Sequence, residues 1–183
     1  SNARIRLNVE KVYFSPRLSE ERKRIFSQVK KGESILVMFS GVGIYPVVIA
    51  RNTKAREIYG IELNPAAHKY ALENIRLNKL SNVKLFVGSV KKILPKIAKK
   101  FDRIIMPLPK GAESFLGLAL NKIRKNGIIH FYSFAEENNY NNIRKIINNE
   151  CEKKKKKCRI LDIVKCGQFS PRVYRVCVDF RVS

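Results

Sequence analysis

Short apolar runs alternate along this chain with longer segments in which charged and apolar residues are interleaved. Apolar runs of about four to eight residues that end near Gly, Pro or Asn are typical of buried strands. The pattern predicts seven strands, at residues 34–39, 57–62, 83–87, 101–106, 127–134, 159–165 and 173–182.

Helix signals occupy the segments between these runs. Asn64 followed by Pro65 is a typical helix start, because asparagine caps free backbone N–H groups and proline fits the first turn. Gly32 is a typical helix end. The predicted helices are a charged one that follows Ser19 and ends near residue 31, those at residues 46–52, 65–77, 90–98 and 112–124, and a polar one that ends near residue 155.

This order of elements indicates a fold class. Strands that alternate with helices, followed by a final strand pair, predict an α/β fold with a mostly parallel sheet and a terminal antiparallel strand pair. A length of 183 residues suits one domain with a sizeable core. In such a sheet, ligands bind at the carboxyl ends of the strands.

A Gly-x-Gly turn follows the first predicted strand and contains Gly41 and Gly43. Such a turn permits a ligand to approach the backbone closely, and an acid on the next strand binds the ribose hydroxyls. Glu62 follows Gly43 by 19 residues, at the end of the second predicted strand. This spacing favours a nucleoside-containing cofactor over plain turn glycines and a surface acid. Pro46 replaces the third glycine of dinucleotide-binding loops, which disfavours NAD and FAD.

The charge balance points to a polyanionic partner. The chain has 38 Lys and Arg against 15 Asp and Glu, a formal net charge of +23. Such a field attracts polyanions, and we favour nucleic acid over an anionic membrane or simple solubility. No apolar run is long enough to span a membrane, and we find no signal peptide.

The four cysteines indicate neither a metal site nor a catalytic role. They lie scattered in the last third of the chain without a C-x-x-C pair, so metal binding is disfavoured. Cys166 and Cys177 lie in apolar segments and are interpreted as core thiols. These observations predict no metal and a reducing, cytoplasmic setting.

Several short motifs extend beyond the glycine loop. They are Tyr13-Phe14-Ser15-Pro16-Arg17-Leu18-x-x-Glu21-Arg22, Phe39-Ser40-Gly41-Val42-Gly43, Glu62-Leu63-Asn64-Pro65, Asn74-x-x-Leu77-Asn78, Leu108-Pro109-Lys110 and His130-Phe131-Tyr132. The loop and the strand-two acid resemble the Rossmann-like class I S-adenosylmethionine-dependent methyltransferases. The motifs together, over nearly all of residues 11–182, resemble the archaeal and eukaryotic tRNA (guanine-N1)-methyltransferases, which modify the guanosine 3′ of the anticodon.

The resemblance implies an organisation and a set of partners. Residues 1–3 are interpreted as a tag remnant, 4–33 as a segment that leads into the catalytic domain, and 34–183 as a Rossmann-like methyltransferase domain. The cofactor would be S-adenosylmethionine and the substrate tRNA, with no membrane and no metal involved. We expect a monomer, and a fragment that lacks the family's N-terminal tRNA-binding domains.

The resemblance also implies roles for individual residues. Glu21 would accept the N1 proton, Arg17 or Arg22 would stabilise charge on O6, and Pro109 would shape the pocket of the target base. Tyr132 is a stacking candidate, and Arg172 lies in the last loop, beside other cations that suit phosphate. The candidate catalytic residues are Glu21, Arg17 and Pro109. The candidate cofactor-binding residues are Phe39, Ser40, Gly41, Gly43, Glu62, Leu63, Ser89, Val90 and Pro107. The candidate substrate-binding residues are Tyr13, Arg22, Lys110, Tyr132 and Arg172.

Several positions leave alternatives open. Val37, Ser89 and Pro107 replace two acids and an asparagine that are common in the family. These departures leave room for an RNA-binding domain without catalysis. A second enzymatic interpretation is aminocarboxypropyl transfer from the same cofactor in wybutosine synthesis; Leu108-Pro109-Lys110 and the Glu21-Arg22 pair favour methyl transfer over it.

Other candidates have structural alternatives. Glu21 also fits a helical surface acid paired with a base one turn away, and Ser89 fits a helix cap. Tyr132 and His130 also fit the core, and His68 is interpreted as a surface residue of a helix. The lysine run 153–157 also fits a solvated helix end.

Overall fold

The structure of the protein is a computed structural model that describes residues 3–8 and 18–183. The chain divides into two compact units, Ser1–Ile97 and Ala98–Ser183. In the described ranges, none of the helices is long and apolar enough to cross a bilayer.

The first unit contains three parallel strands with helices between them. β2 is the central strand and pairs with β1 on one side and β3 on the other. The strands are β1 (Ser34–Met38), β2 (Glu57–Glu62) and β3 (Val83–Val87). The helices are α1 (Ser19–Ser27), α2 (Ile44–Asn52), α3 (Pro65–Leu77) and α4 (Val90–Ile93), which a 3₁₀ turn (Leu94–Lys96) extends. All five residues of β1 are buried, as expected of a parallel strand covered on both faces.

The second unit contains one parallel and two antiparallel pairings, in the order β4-β5-β7-β6. β4 runs parallel to β5, and β7 runs antiparallel to both β5 and β6. The strands are β4 (Phe101–Met106), β5 (Ile123–Glu136), β6 (Cys158–Ser170) and β7 (Val173–Val182). The helices are α5 (Leu116–Lys122), preceded by a 3₁₀ turn (Ala112–Phe115), and α6 (Asn141–Lys153). The α/β class and the terminal antiparallel pair are therefore confirmed.

Most predicted elements are found, but some bounds differ. The predicted helix at 112–124 ends at Lys122, because Ile123 already pairs with Phe101 as the first residue of β5. β6 continues to Ser170 rather than residue 165, since its last residues remain paired with β7. The helix predicted at 90–98 divides into α4 and the 3₁₀ turn that contains Pro95, which lacks a backbone N–H.

The cysteine interpretation is corrected at one pair. Cys151 near the end of α6 and Cys158 at the start of β6 form a disulfide across seven residues, a pairing that the sequence analysis did not predict. Cys177 is a buried free thiol, as expected, and Cys166 is half-buried. The disulfide encloses the lysine run, where Lys155 has φ +52° directly after the helix.

Candidate cofactor site and substrate-binding elements

The glycine loop links β1 to α2 in the first unit. Phe39, Gly41 and Gly43 all have positive φ, at 60°, 55° and 80°, and the two glycines adopt this conformation without the steric cost of a Cβ atom. The Gly43 N–H donates to the Ser40 carbonyl at 2.9 Å, and the Ser40 N–H donates to the Ile61 carbonyl at 2.9 Å. These bonds close a tight turn and attach it to β2.

Glu62 connects this loop to the end of β2. Its Oε2 accepts the Gly41 N–H at 2.7 Å, and its Oε1 accepts the Asn64 N–H at 2.8 Å. Its backbone carbonyl accepts the Gly88 N–H at 2.8 Å. The structure thus brings Gly41 of the predicted loop and the predicted acid into direct contact.

The loop has features that fit a nucleoside cofactor. A Cβ at Gly41 would meet no atom within 4 Å, so its backbone faces open space. Leu63, next to Glu62, is 68% exposed, as a side chain that packs on an adenine ring must be before the ligand binds. The Ser40 hydroxyl is buried and has no hydrogen-bond partner within residues 3–8 and 18–183. An ionised carboxylate that accepts two N–H groups keeps lone pairs for ribose hydroxyls.

The structure gives less support for a cofactor contact at the other predicted cofactor-binding residues. Ser89 occupies the position before α4, but its side chain makes no capping hydrogen bond. Val90 is 4% exposed, so it offers little surface to a ligand. Val37 is fully buried in β1. The acid that is common in the family at this position would place a charge there, and burying that charge without a partner would cost free energy.

Asn74, beside the loop, was not identified as a candidate from the sequence. Asn74 of α3 is fully buried and donates to the Val42 carbonyl at 2.9 Å. Asn74 belongs to the motif Asn74-x-x-Leu77-Asn78, but the spacing of that motif did not indicate what Asn74 does.

His68 lies on helix α3, as expected, but it is half-buried rather than exposed. Its Nδ1 is buried and has no hydrogen-bond partner among the described residues. Burial lowers the pKa of His68 below its ordinary value, and the charge of Glu62 acts in the opposite direction. The side chain therefore lies within electrostatic reach of the cofactor loop.

Glu21 is held on α1 by an ion pair one turn away. Arg24 donates through Nε to Oε2 at 2.7 Å and through a terminal nitrogen to Oε1 at 2.8 Å. The pairing fits the structural alternative, but Glu21 is only 6% exposed, so it is not a surface acid. Arg22 is 8% exposed and lines a cavity of about 460 Å³ with Ile5 and Ile44. The predicted roles of Tyr13 and Arg17 lie outside the described residues.

In the second unit, Pro107, Pro109 and Lys110 form the loop after β4. The prolines are half-buried and Lys110 is exposed. The Leu108 N–H donates to the Met106 carbonyl at 2.8 Å, and Gly111 has φ +84° where the loop ends. The loop is therefore tightly turned, and its roles in binding cofactor or base stay predictions.

β5 carries the predicted aromatic and histidine residues. Tyr132 is 2% exposed, so a stacking role would require its ring to turn outward. His130 is fully buried between Asp179, with Nδ1 to Oδ1 at 2.6 Å, and Arg103, with a guanidinium nitrogen to Nε2 at 2.7 Å. Because the guanidinium only donates, Nε2 is the acceptor and Nδ1 carries the proton. The interpretation of His130 as a satisfied core histidine is confirmed.

The turn between β6 and β7 combines aromatic and cationic side chains. Phe169 is 65% exposed, and its ring centroid lies 4.2 Å from that of Phe134. The Arg175 guanidinium lies 6.0 Å from the Phe134 centroid, and the Lys165 amine lies 4.7 Å from the Tyr174 centroid. The predicted Arg172 lies in this turn, exposed and with φ +61°. The chemistry suits nucleobases and phosphate.

Two known proteins of defined activity are similar in sequence. The tRNA (guanine(37)-N(1))-methyltransferase Trm5b of Pyrococcus abyssi is 40% identical over 185 residues, which cover 98% of this chain and 53% of that protein. The tRNA(Phe) (4-demethylwyosine(37)-C(7)) aminocarboxypropyltransferase of Methanocaldococcus jannaschii is 30% identical, over 95% of this chain and 70% of the relative. The chain thus spans about half the length of the Trm5b relative.

Solved structures are also similar to this chain over nearly its whole length. The crystal structure of Pyrococcus abyssi Trm5b matches with a TM-score of 0.91 and 39% identity, over 99% of this chain and 53% of that one. M. jannaschii TYW2 in complex with AdoMet matches with a TM-score of 0.88 and 29% identity, over 98% and 81%. The complex of aTrm5 and tRNALeu matches with a TM-score of 0.86 and 31% identity, over 99% and 50%.

A protein-family model agrees with these similarities. Residues 1–161 match the family model described as the TRM5/TYW2 methyltransferase domain. With a match over most of its length, and a loop in which Gly41 binds the strand-two acid, the chain belongs to the TRM5/TYW2 methyltransferase domain family.

Proposed function

We propose that this chain is the catalytic part of an enzyme that methylates N1 of the guanosine 3′ of the anticodon in tRNA, with S-adenosylmethionine as the methyl donor. The observation that carries the proposal is the 40% identity to Trm5b over 98% of the chain. The cofactor is supported by the loop around Glu62 and by the AdoMet complex of a structural relative.

The residues that would hold the cofactor are those of the glycine loop and the end of β2. Glu62, fixed by the Gly41 and Asn64 N–H groups, would accept hydrogen bonds from the ribose hydroxyls. Leu63 would cover one face of the adenine, since its side chain is exposed beside Glu62. When bound, S-adenosylmethionine supplies an electrophilic methyl group.

Glu21 is the proposed proton acceptor. N1 of guanine carries a proton that must leave when the nitrogen is methylated, and a positioned carboxylate accelerates such a transfer. The two hydrogen bonds from Arg24 fix the orientation of the Glu21 carboxylate. Burial keeps competing water away from the carboxylate.

The charge of the chain supports tRNA as the substrate. A net charge of +23 favours association with a polyanion, and aTrm5, a structural relative, forms a complex with tRNALeu. We infer a monomeric, cytoplasmic enzyme that uses no metal. Sedimentation of the purified protein with and without tRNA measures the oligomeric state.

Aminocarboxypropyl transfer is the second candidate. The aminocarboxypropyltransferase relative and the Pro107 departure favour it, but the identity to that relative is 30%, against 40% to Trm5b. The two reactions use the same cofactor and attach groups of different mass, so the product distinguishes them.

The test combines binding with a matched pair of variants. Isothermal titration calorimetry of the protein with S-adenosylmethionine should give one site, and absence of binding would contradict the proposal. In single-turnover assays with tRNA, Glu21→Gln should slow methyl transfer by about 100-fold or more without changing cofactor affinity. Glu20→Gln, an exposed neighbour on α1, should leave both unchanged. Equal rates for the two variants would remove Glu21 from the mechanism.

A further inference from the structure

An extended segment of residues 3–8, here called the N-terminal strap, lies along helix α3. Two asparagines one helical turn apart hold its backbone. Asn78 accepts the Arg4 N–H at 2.9 Å and donates to the Arg4 carbonyl at 2.6 Å. Asn74 accepts the Arg6 N–H at 2.7 Å and donates to the Arg6 carbonyl at 3.1 Å. The i, i+4 spacing places both amides on one face of the helix.

Asn74 also reaches the cofactor loop. Its Nδ2 donates to the Val42 carbonyl at 2.9 Å, and the side chain is fully buried. Val42 lies between Gly41 and Gly43, whose positive φ angles define the turn. The Asn74 amide group therefore binds the strap and the loop at the same time, as an acceptor through its oxygen and as a donor through its nitrogen.

Apolar contacts connect the same two segments. Val42 and Ala67 form a small buried cluster, against which Ile5 and Leu7 of the strap and Tyr70 of α3 pack. The strap thus contributes both hydrogen bonds, through Arg6, and apolar cover, through Ile5 and Leu7.

We propose that Asn74 is a positioning residue that couples the strap to the cofactor loop, so that cofactor affinity depends on a docked strap. Holding the Val42 carbonyl fixes the Val42–Gly43 peptide, and this limits the movement of the turn that starts at Gly41. The Gly41 N–H must point at Glu62 for the ribose-binding carboxylate to be held. The identity of the cofactor rests on the proposed function, whereas the coupling itself does not.

Two matched pairs of variants test the coupling. Asn74→Ala removes the bonds to Arg6 and Val42. Asn78→Ala removes the bonds to Arg4 and to the Asn74 backbone carbonyl, and leaves the bonds of the Asn74 side chain in place. Arg6→Pro deletes the N–H that Asn74 accepts and keeps Asn74 intact, while Arg6→Ala keeps that N–H. We expect Asn74→Ala to raise the Kd for S-adenosylmethionine roughly tenfold and Arg6→Pro to raise it several-fold. The two controls should stay within about twofold.

Hydrogen–deuterium exchange of the Gly41 amide gives a readout that needs no cofactor. Its exchange should be faster in Asn74→Ala and Arg6→Pro than in the two controls. Equal exchange rates of the Gly41 amide in Asn74→Ala and Asn78→Ala would overturn the coupling. If Asn74→Ala does not fold, an exchange rate in Arg6→Pro equal to that of the wild-type protein would overturn it. A wild-type protein that binds no S-adenosylmethionine but shows this pattern would contradict the proposed function and leave the coupling supported.

A separate observation concerns the turn between β6 and β7. Phe169 exposes 65% of its surface at the tip and stacks at 4.2 Å on Phe134, which itself lies under Arg175. Arg172 is exposed in the same turn. An exposed aromatic ring beside cations is the arrangement that proteins use to stack a base of single-stranded nucleic acid.

We infer that Phe169 stacks on an unpaired base of the RNA substrate, while Arg172 contacts the adjacent phosphate. The inference rests on the proposed RNA substrate, and the strong positive charge of the chain favours that occupant over an apolar protein surface. A base–aromatic stack contributes about 1–3 kcal/mol by alanine substitution.

The experiment measures RNA affinity at several salt concentrations. Phe169→Ala should weaken binding of a tRNA anticodon stem-loop about tenfold with an unchanged salt slope, and Arg172→Ala should lower the slope by about one. The control is Leu161→Ala, a 42% exposed apolar residue of β6. Equal affinity for Phe169→Ala and Leu161→Ala would overturn the inference, as would loss of a self-associated form on Phe169→Ala without a change in RNA affinity. Methyl transfer is assayed separately, so its absence leaves this result interpretable.

Discussion

Glu62→Gln is the most informative single substitution in the cofactor site. The carboxylate accepts the Gly41 N–H at 2.7 Å and the Asn64 N–H at 2.8 Å through different oxygens. Glutamine keeps one oxygen and places an NH₂ group where the second acceptor was, so one backbone N–H loses its partner. The substitution therefore disturbs both the loop and the residue proposed to bind the ribose.

The size of the effect follows from these two bonds. A hydrogen bond to a charged group contributes about 1.5–3 kcal/mol, and the half-exposed position of Glu62 places the loss of folding stability near the lower end. The ribose also loses a charged acceptor. We expect the Kd for S-adenosylmethionine to rise roughly 10- to 100-fold, since about 1.4 kcal/mol corresponds to a factor of ten.

Calorimetry measures the affinity, and urea denaturation measures the free energy of unfolding. Glu57→Gln is the matched control, because Glu57 lies on the same strand and binds Ser34, at 2.8 Å, instead of the loop. Binding by Glu62→Gln within twofold of wild type would refute the assignment of Glu62, whatever its effect on stability.

Three further predictions concern other parts of the chain. Reduction of the Cys151–Cys158 disulfide should lower the free energy of unfolding by about 2 kcal/mol, from the closure entropy of a short loop; identical urea midpoints with and without dithiothreitol would contradict this. His130→Ala should cost about 3–5 kcal/mol in the same assay, because the buried Asp179 carboxylate loses its 2.6 Å contact with His130; a loss below 1 kcal/mol would show that the network is dispensable. His68 has a lowered pKa in the folded state, so the unfolded chain binds its proton first, and stability should fall as the pH drops from about 6.5 towards the folded pKa. His68→Gln should reduce that fall, and parallel stability curves for the two proteins would exclude the effect.

The features that the sequence predicted well depend on local patterns. The bounds of β2, β3, β4 and β7 and of α3 agree with the apolar runs and with the Asn64-Pro65 start. The contact between Gly41 and Glu62 follows from strand order, because consecutive parallel strands place their carboxyl ends side by side.

The features that were missed depend on contacts between distant segments. The role of Asn74 needs the strap, 68 residues away, and the start of β5 depends on the pairing of Ile123 with Phe101. The partial burial of His68 was missed because helical spacing alone does not show what packs against that side of α3. The disulfide depends on the turn after α6, in which the Lys156 N–H returns to the Cys151 carbonyl at 2.9 Å, a geometry that spacing alone does not give.

The measurement that tests the central claim most directly is mass spectrometry of tRNA nucleosides and of nuclease fragments of the tRNA after incubation with the protein and methyl-deuterated S-adenosylmethionine. The account predicts deuterated 1-methylguanosine at the position 3′ of the anticodon. An aminocarboxypropyl adduct, a methyl group at another atom or position, or unmodified tRNA in the presence of a protein that binds both ligands would contradict it.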